Sequence, residues 1–213
     1  MKLIILGAPG AGKGTQAQLI ADKYGIPHIA TGDILRDAIQ SGKMLGATAR
    51  SFMERGKLVP DEIVIELTLR RLSQDDCKNG FILDGFPRTL RQAKEFTERH
   101  EIDMVIDIHV DESVLISRVT GRRSCPHCRE VYHVKINPPR KEGICDRCGF
   151  DLILRDDDTE AILTNRLRVF HEETEPLIEY YSERNLIQEI DGDRDIQAIQ
   201  ASIDDTISHL VKK

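Results

Sequence analysis

The chain has 213 residues, 40% of them hydrophobic and 31% charged, which is the composition of a folded globular protein and excludes a disordered one. Its net charge of −6 argues against a general nucleic-acid binder, which normally carries a basic excess. No apolar run approaches the ~18 residues of a membrane-spanning helix, so the sequence predicts no such span.

Short apolar runs alternate with helical stretches along the chain. The predicted strands are Lys2–Leu6, His28–Ala30, Phe81–Leu83, Met104–Ile108 and Leu186–Ile190. The predicted helices are Thr15–Lys23, Asp61–Leu72, Leu90–Arg99, Val114–Val119 and Glu160–Tyr181. Strands that alternate with helices imply βαβ units, and hence an α/β fold with a mostly parallel sheet covered on both faces.

Two segments interrupt this alternation. Residues 31–59 form a helical stretch between two turn signals, Thr31–Asp33 and Val59–Asp61. Residues 121–158 contain two Cys-x-x-Cys pairs and close on three consecutive aspartates. We interpret both segments as inserts mounted on the α/β core.

A glycine-rich loop, Gly7–Thr15, directly follows the first predicted strand and opens a helix. Glycines let successive N–H groups point into one concavity, which cradles a polyphosphate at the positive end of the helix. Lys13 is placed to reach the outer phosphates. The general pattern has Ser or Thr directly after the lysine, whereas here Gly14 intervenes before Thr15. The alternative is a glycine-rich turn with a solvated lysine.

Asp84 and Arg88 lie in the segment Asp84-Gly85-Phe86-Pro87-Arg88, at the end of a predicted strand. Ligands of open parallel sheets bind outside the carboxyl ends of the strands, so both side chains are expected on the same rim as the phosphate loop. An arginine there suits a phosphate, and an aspartate suits Mg²⁺ through water. The alternative is a surface ion pair at a strand-to-helix turn.

Further arginines lie at element ends or in the inserts, namely Arg36, Arg118, Arg122, Arg123, Arg155 and Arg166. Phosphoryl transfer needs many positive charges and little covalent chemistry, because its catalysis is mostly positioning and charge stabilisation. We interpret Arg168 and Arg184 as solvated side chains.

Four of the five cysteines form the pairs Cys125/Cys128 and Cys145/Cys148, which are separated by 16 residues. This spacing is typical of a zinc site, and four thiolates would close a tetrahedral ion against water and substrate, so the metal is predicted to be structural. A zinc ribbon that binds nucleic acid or protein, and an empty thiol cluster, remain alternatives. Such pairs favour a reducing compartment, so we expect a cytoplasmic protein. The fifth, Cys77, is interpreted as a small apolar residue.

These motifs resemble those of the adenylate kinase family, in the long form with a zinc-binding lid. Gly7–Thr15 resembles its phosphate loop, Thr31–Arg36 and Lys57–Asp61 resemble the two ends of its AMP-binding insert, and Asp84–Arg88 with Gln92 resembles its signature. Gly121–Arg123, Val131–His133, Asn137–Pro139, Arg155–Asp157 and Asn165–Leu167 resemble its lid and the following helix. The match spans nearly the whole chain.

The resemblance implies a P-loop fold with a five-stranded parallel sheet and two mobile inserts. The core would comprise residues 1–29, 60–120 and 159–213, the AMP-binding insert residues 30–59, and the zinc-binding lid residues 121–158. The active form in this family is usually a monomer.

The resemblance also implies roles for individual residues. The ATP contacts would be Gly10, Ala11, Gly12, Lys13, Gly14, Thr15, Arg118, Arg122, Val131, Tyr132 and Arg194, some through the backbone. The AMP contacts would be Thr31, Arg36, Lys57, Leu58, Val59, Gly85, Phe86, Pro87, Arg88, Gln92, Arg155 and Arg166, with Gln92 reading the adenine edge. The catalytic set would be Lys13, Arg36, Asp84, Arg88, Arg122, Arg155 and Arg166.

The sequence therefore predicts reversible phosphoryl transfer from Mg-ATP to AMP, giving two ADP, with structural Zn²⁺ in the lid and neither nucleic acid nor membrane as a partner. A kinase for UMP or CMP, or a GTP-dependent AMP kinase, is the alternative within the class. A P-loop regulatory or zinc-ribbon protein without turnover is the alternative from another class.

Overall fold

A computed structural model of the chain describes residues 1–42 and 44–211. Residue 43, within the predicted 30–59 insert, and residues 212 and 213, at the end of the predicted core, lie outside the described residues. The main sheet contains β1 (Lys2–Leu6), β2 (His28–Ala30), β3 (Phe81–Asp84), β4 (Met104–His109) and β7 (Ile187–Asp191). The helices around it are α1 (Lys13–Tyr24), α4 (Asp61–Leu72), α5 (Leu90–Thr97), α6 (Glu112–Thr120), α7 (Glu160–Val169), α8 (Pro176–Ser182) and α9 (Ile196–Val211).

The five strands of the main sheet are all parallel, in the order β2-β3-β1-β4-β7. This confirms the predicted α/β class and all five predicted strands. After β1 the chain crosses to β2 at one edge, whereas after β3 it crosses to β4 on the other side of β1. The strand order therefore reverses between β1 and β3, which is where open parallel sheets bind their ligands.

Both faces of the sheet are buried, because successive residues of a strand point to opposite faces. Ile4 and Leu83 face a core formed with α4, α5 and α8. Leu3, Ile5 and Ile82 face a second core formed with α1 and α9. Burial on both sides explains why these strands read as continuous apolar runs, and it gives the site a rigid support.

The helices begin and end at recognisable residues. Thr89 caps α5 by accepting a hydrogen bond from the Gln92 N–H at 3.1 Å, and Asp111 caps α6 by accepting one from the Ser113 N–H at 2.8 Å. Gly25, at φ 65°, ends α1 in the left-handed conformation that glycine adopts without strain.

Three expectations about the elements need correction. The predicted helix Glu160–Tyr181 is interrupted by a π-helical segment, Phe170–Thr174, before α8 begins at Pro176, whose ring nitrogen cannot donate a helical hydrogen bond. The turn expected at Thr31–Asp33 is instead the first turn of a helix that follows β2 directly. The C-terminal helix α9 was not predicted.

The two segments predicted to be inserts differ in construction. The first contains α2 (Thr31–Gln40) and α3 (Met44–Met53). The second contains the short antiparallel strands β5 (Arg122–Ser124) and β6 (Val131–His133), followed by loops. Its buried core consists of Cys125, Tyr132 and Cys145, against which Leu152 and the other two paired cysteines pack, as expected for a segment with little apolar sequence.

Across residues 1–42 and 44–211, no helix combines the length and the apolar character that crossing a membrane requires.

Candidate active site

The phosphate loop lies at the carboxyl end of β1, at the reversal point of the sheet. Gly10 and Gly12 have φ values of 93° and 95°, which side-chain-bearing residues rarely adopt. A Cβ on Gly10 would also lie 2.9 Å from Val119 Cγ2, so the loop packs tightly on α6. Lys13 Nζ folds back over the loop and donates hydrogen bonds to the carbonyls of Gly7 and Ala8 at 2.7 and 2.8 Å.

Lys13 is the centre of a cluster of positive charge. Burial lowers its pKa to about 8; Asp84 opposes this shift, whereas Arg88, Arg166 and Arg122 add to it. Three arginines from separate parts of the chain are therefore close enough to act on this ammonium group. Such an arrangement is stabilised by a polyanion.

Asp84 ends β3 directly beside the loop, because a Cβ on Gly14 would lie 3.3 Å from its Oδ2. Burial acts to raise its pKa, but the hydrogen bond from His28 and the charges of His28 and Lys13 outweigh burial and hold the pKa below its usual value. The His28 Nε2 to Asp84 Oδ2 distance is 3.3 Å. The carboxylate is therefore ionised at neutral pH and suits Mg²⁺ held through water. His28 was not among the predicted site residues.

Arg88 is held from several sides. Its Nε donates to the Gly85 carbonyl at 2.9 Å, its backbone N–H donates to Gln92 Oε1 at 2.8 Å, and its carbonyl accepts from Thr174 Oγ1 at 2.8 Å. Thr31, which is 3% exposed, donates through Oγ1 to the same Gly85 carbonyl at 2.8 Å. This network orders the predicted AMP-facing turn.

Two aspartates hold the lid-side arginines in place. Arg122 donates to both carboxylate oxygens of Asp158, a residue that is only 1% exposed. Arg166 Nη1 lies 3.1 Å from Asp157 Oδ2. The run of aspartates at 156–158 is visible in the sequence, but no role was predicted for it. Its position directly after Arg155 is the signal that could have identified it.

Arg155 and Arg166 carry pKa values of about 10. Burial is the largest cause in each; Arg122 and Arg36 lower the value further for Arg155, and Arg122 and Arg88 do so for Arg166. Both stay charged at neutral pH. Arg155 Nε also donates to Ser124 Oγ at 2.8 Å. Mutual repulsion within this set favours any ligand that brings several negative charges.

The monophosphate side of the site is ordered by carboxylates as well. Arg36 Nη2 lies 2.5 Å from Asp33 Oδ1, and Gln92 Nε2 donates to Asp61 Oδ1 at 2.6 Å. Gln92 is 1% exposed, yet its amide oxygen and nitrogen each have one further hydrogen-bonding position. A cavity of about 360 Å³ beside Asp61 is lined in part by the predicted AMP contacts Lys57, Leu58 and Val59.

Phe86 is fully buried and packs edge-on against Phe96, with ring centroids 5.3 Å apart. Its side chain therefore belongs to the core, and any contact with a nucleotide would be through its backbone. The following Pro87, joined to it by a cis peptide bond, is buried as well.

Three predicted ATP contacts do not direct their side chains at the phosphate-facing cluster. Arg118 Nη2 donates to the Gly192 carbonyl at 3.0 Å, and Arg194 Nη2 donates to the Ala198 carbonyl at 2.8 Å. Both guanidinium groups are therefore directed at the segment that connects β7 to α9. The Tyr132 ring is buried in the lid core. Neighbouring Val131, on β6, is half-buried.

The four paired cysteines form one cluster in which all Sγ atoms lie within 4.8 Å of one another. Cys125 and Cys148 are 3.3 Å apart and Cys128 and Cys145 3.5 Å apart at sulfur, too far for disulfides. Zinc–sulfur bonds of about 2.3 Å place the sulfurs of a tetrahedral site about 3.8 Å apart, so the thiols fit that ion.

The pKa shifts within the cluster go in both directions: burial raises the pKa of the Cys128 thiol to about 12, whereas the pKa of the Cys145 thiol is lowered. Burial would raise the pKa of Cys145 as well, but the backbone N–H of Cys148 and the hydroxyl of Tyr132, at 3.7 Å from the sulfur, lower it to about 6. The thiolate is the form that binds metal, so Tyr132 acts as a supporting residue of the cluster.

A phosphate loop surrounded by arginines from both inserted segments and the core is suited to moving a phosphoryl group between two anions. The fold and site thus define a P-loop phosphotransferase. The family model described as adenylate kinase matches residues 5–186, and the chain belongs to that family.

Individual relatives agree with this assignment. The adenylate kinase of Agathobacter rectalis is 49% identical over 208 residues, covering 95% of this chain and 97% of the relative. That of Caldicellulosiruptor saccharolyticus is 51% identical over 201 residues, covering 92% and 94%. That of Archaeoglobus fulgidus is 48% identical over 209 residues, covering 96% of each. The predicted family, fold and ATP:AMP phosphotransferase activity are confirmed, and the rival nucleotide choices are not favoured.

The pKa of Lys13 predicts an alkaline limit to activity. Only the protonated side chain attracts phosphate, so kcat/KM for ATP should fall about tenfold per pH unit above about 8, the value that its pKa takes in the free protein. Initial rates between pH 7 and 9.5 measure this. In Lys13→Arg the cation stays charged, so the fall should disappear although the rate is lower. A parent profile that is flat to pH 9.5 would contradict the assignment.

Proposed function

We propose that the phosphate loop, the arginines and Asp84 divide the reaction between them as the family resemblance implies. The observation that carries the proposal is the electrostatic convergence of Arg88, Arg122 and Arg166 on Lys13. These cations come from the turn after β3, the start of the lid segment and helix α7.

The ATP side is formed by the loop and the lid. The backbone N–H groups of residues 10–15 would hold the phosphates, with Lys13 exchanging its bonds to the Gly7 and Ala8 carbonyls for bonds to phosphate oxygens. Mg²⁺ arrives with ATP and neutralises phosphate charge, and Asp84 would hold it through water. Arg118, Arg194 and the β6 backbone would face the nucleoside.

The AMP side is formed by the first insert and the turn after β3. Arg36 and Arg88 would bind the phosphate. On binding, Arg36 would release the Asp33 carboxylate and Arg88 would release the Gly85 carbonyl. Gln92 would present its remaining hydrogen-bonding positions to the base. Thr31, Gly85 and residues 57–59 would enclose the nucleoside.

The transfer itself requires no protein nucleophile. An AMP phosphate oxygen attacks the γ-phosphorus, the bond from that phosphorus to the β-phosphate oxygen breaks, and no proton is gained or lost overall. Arg122, Arg155 and Arg166 would stabilise the negative charge on the moving group. Asp158 and Asp157 would keep the guanidinium groups of Arg122 and Arg166 in place between turnovers.

The two inserts would move. We propose that residues 30–59 and 121–158 close over a core made of residues 1–29, 60–120 and 159–213, because an open site would let water compete with AMP as the acceptor. The contacts between the inserts described below support this proposal.

The four-cysteine cluster would hold one Zn²⁺ as a structural ion. With four thiolates bound, the ion has no open position for water or phosphate. The sulfur spacing and the small apolar core of the lid support this role. We further propose a monomer in the cytoplasm, where the thiols stay reduced, with neither nucleic acid nor membrane as a partner.

Arg88→Ala tests the assignment of the reacting centre. Removal of a contact that strengthens in the transition state should lower kcat by roughly 100-fold or more, with little change in the melting temperature. Steady-state kinetics and thermal melting measure these quantities. Arg184→Ala is the matched control, since Arg184 stacks on the Tyr180 ring at 3.6 Å and should leave kcat unchanged. A normal kcat with only a raised KM for AMP would reduce Arg88 to a binding residue.

The fitted monophosphate site predicts strict acceptor choice. AMP should exceed CMP, UMP and GMP by about 100-fold or more in kcat/KM, because a wrong base leaves polar groups such as the Gln92 amide unpaired. Chromatography of the products formed from ATP and each monophosphate measures this. The preference should shrink in Gln92→Ala. Comparable turnover of CMP or UMP by the parent would refute the adenine-specific role of this site.

Removal of the metal should lower the thermal stability of the protein but leave its catalytic activity largely unchanged. We expect about one zinc per chain by elemental analysis, and a lower melting temperature after chelation or Cys145→Ser. Activity should be largely kept below that new melting temperature. Cys77→Ser is the control, because Cys77 is buried beside Arg71 and should not change the zinc content. Metal-free purified protein, or lost turnover while the lid is still folded, would contradict a structural zinc.

A further inference from the structure

The two cysteine-containing turns of the lid have the same backbone conformation, so the residues at equivalent positions of the two turns can be compared directly. In the first, the Arg129 N–H donates to the Cys125 carbonyl at 3.0 Å; in the second, the Gly149 N–H donates to the Cys145 carbonyl at 2.9 Å. The fifth residue of each turn, counted from its first cysteine, has a left-handed backbone conformation, with φ 65° at Arg129 and φ 76° at Gly149. The turns therefore differ in having arginine where the geometry favours glycine.

That choice has a conformational cost. Left-handed backbone is unfavourable for a side-chain-bearing residue, and glycine occupies it freely. Gly149 demonstrates that the turn needs no side chain at this position. Within the described residues, the ion-pair partners of the Arg129 guanidinium lie outside the lid.

The guanidinium reaches across to the AMP-binding insert. Arg129 Nη2 lies 2.5 and 2.6 Å from the two carboxylate oxygens of Asp37, which is on α2. Its Nη1 lies 3.9 Å from Asp33 Oδ2. The other oxygen of Asp33 accepts from Arg36, the arginine assigned to the AMP phosphate. One lid residue thus joins the carboxylate network that orders the phosphate-binding side chain of the other insert.

We propose that Arg129 is a positioning residue that ties the closed lid to the AMP-binding insert and thereby couples the binding of the two nucleotides. ATP draws the lid down, the lid brings Arg129 to Asp37 and Asp33, and the insert is held in its AMP-binding position. The inference rests on the proposed function of the two inserts. Coupling of this kind is reciprocal, so AMP strengthens ATP binding by the same factor.

The size of the effect follows from exposure. The side chains of Arg129 and Asp37 are 46% and 54% exposed, so their attraction is screened by water and salt. Pairs of this kind shift an equilibrium by about two- to fivefold. The Arg129–Asp37 pair therefore modulates nucleotide affinity but is too weak to keep the lid permanently closed, as repeated turnover requires.

Calorimetry on the full-length zinc-loaded protein tests the proposal. AMP is titrated with and without a saturating ATP analogue that cannot transfer its phosphoryl group. Arg129→Gly, which suits the left-handed turn, should weaken AMP binding about two- to fivefold with the analogue present and leave it unchanged without it. Asp37→Asn should do the same, and the double variant should be no worse than either single variant.

Two further measurements separate coupling from a structural role. Arg129→Gly should keep the zinc content and melt no lower than the parent, because glycine removes backbone strain. Arg147→Ala is the control, since Arg147 lies 3.5 Å from Glu130 within the lid and should not change the coupling. The parent's coupling should weaken between 0.05 and 0.5 M salt, a range across which screening increases, roughly to the level of the variants.

The proposal is overturned if Arg129→Gly and Asp37→Asn keep the parent's coupling between the two nucleotides, or if the effects of the two substitutions on AMP affinity are additive. It is also overturned if the substitutions weaken AMP binding equally without the analogue. A parent in which the analogue does not promote AMP binding overturns it as well. Failure of the proposed function is a separate result, namely no ADP formed from ATP and AMP by the parent.

Discussion

Repulsion among cations is the constraint on which the rest of the site depends. Lys13 and the arginines around it converge on one rim of the sheet, where burial and mutual repulsion depress the pKa values of Lys13, Arg155 and Arg166. Carboxylates offset this repulsion, with Asp158 beside Arg122 and Asp157 beside Arg166. In the proposed reaction, the phosphates of the two nucleotides would take over that role. The same concentration of positive charge would therefore favour the binding of two polyanions.

The parallel sheet makes this concentration of charge possible. Its strands are buried on both faces, so the loops at their carboxyl ends are fixed relative to one another. The phosphate loop follows β1 and Asp84 ends the adjacent β3, on either side of the point where the strand order reverses. Local glycine conformations and the bonds around Arg88 then fix side chains that the sheet has only brought near.

The lid is built on a different principle from the core. Its buried side chains are few and include the cysteines themselves, so the proposed zinc ion would take the place of the apolar packing that orders the sheet. A segment ordered by a metal would be able to move as a unit, because its order would not depend on contacts with the rest of the protein. The proposed closure would then rely on contacts that stay weak and reversible, such as the exposed pair between Arg129 and Asp37.

The sequence by itself determined the strands, the phosphate loop, the cysteine cluster and the family, because these depend on local periodicity and on residue types at fixed spacing. It did not determine that Asp157 and Asp158 pair with arginines, that His28 contacts Asp84, or that Arg118 and Arg194 turn toward the connection after β7. The pairs Arg122–Asp158, His28–Asp84 and Arg118–Gly192 join residues distant in sequence, and no local spacing encodes them. The break at Phe170–Thr174 and the pair between Arg129 and Asp37 were likewise decided by tertiary structure, because packing and the closeness of separate segments select among conformations that the local sequence leaves open.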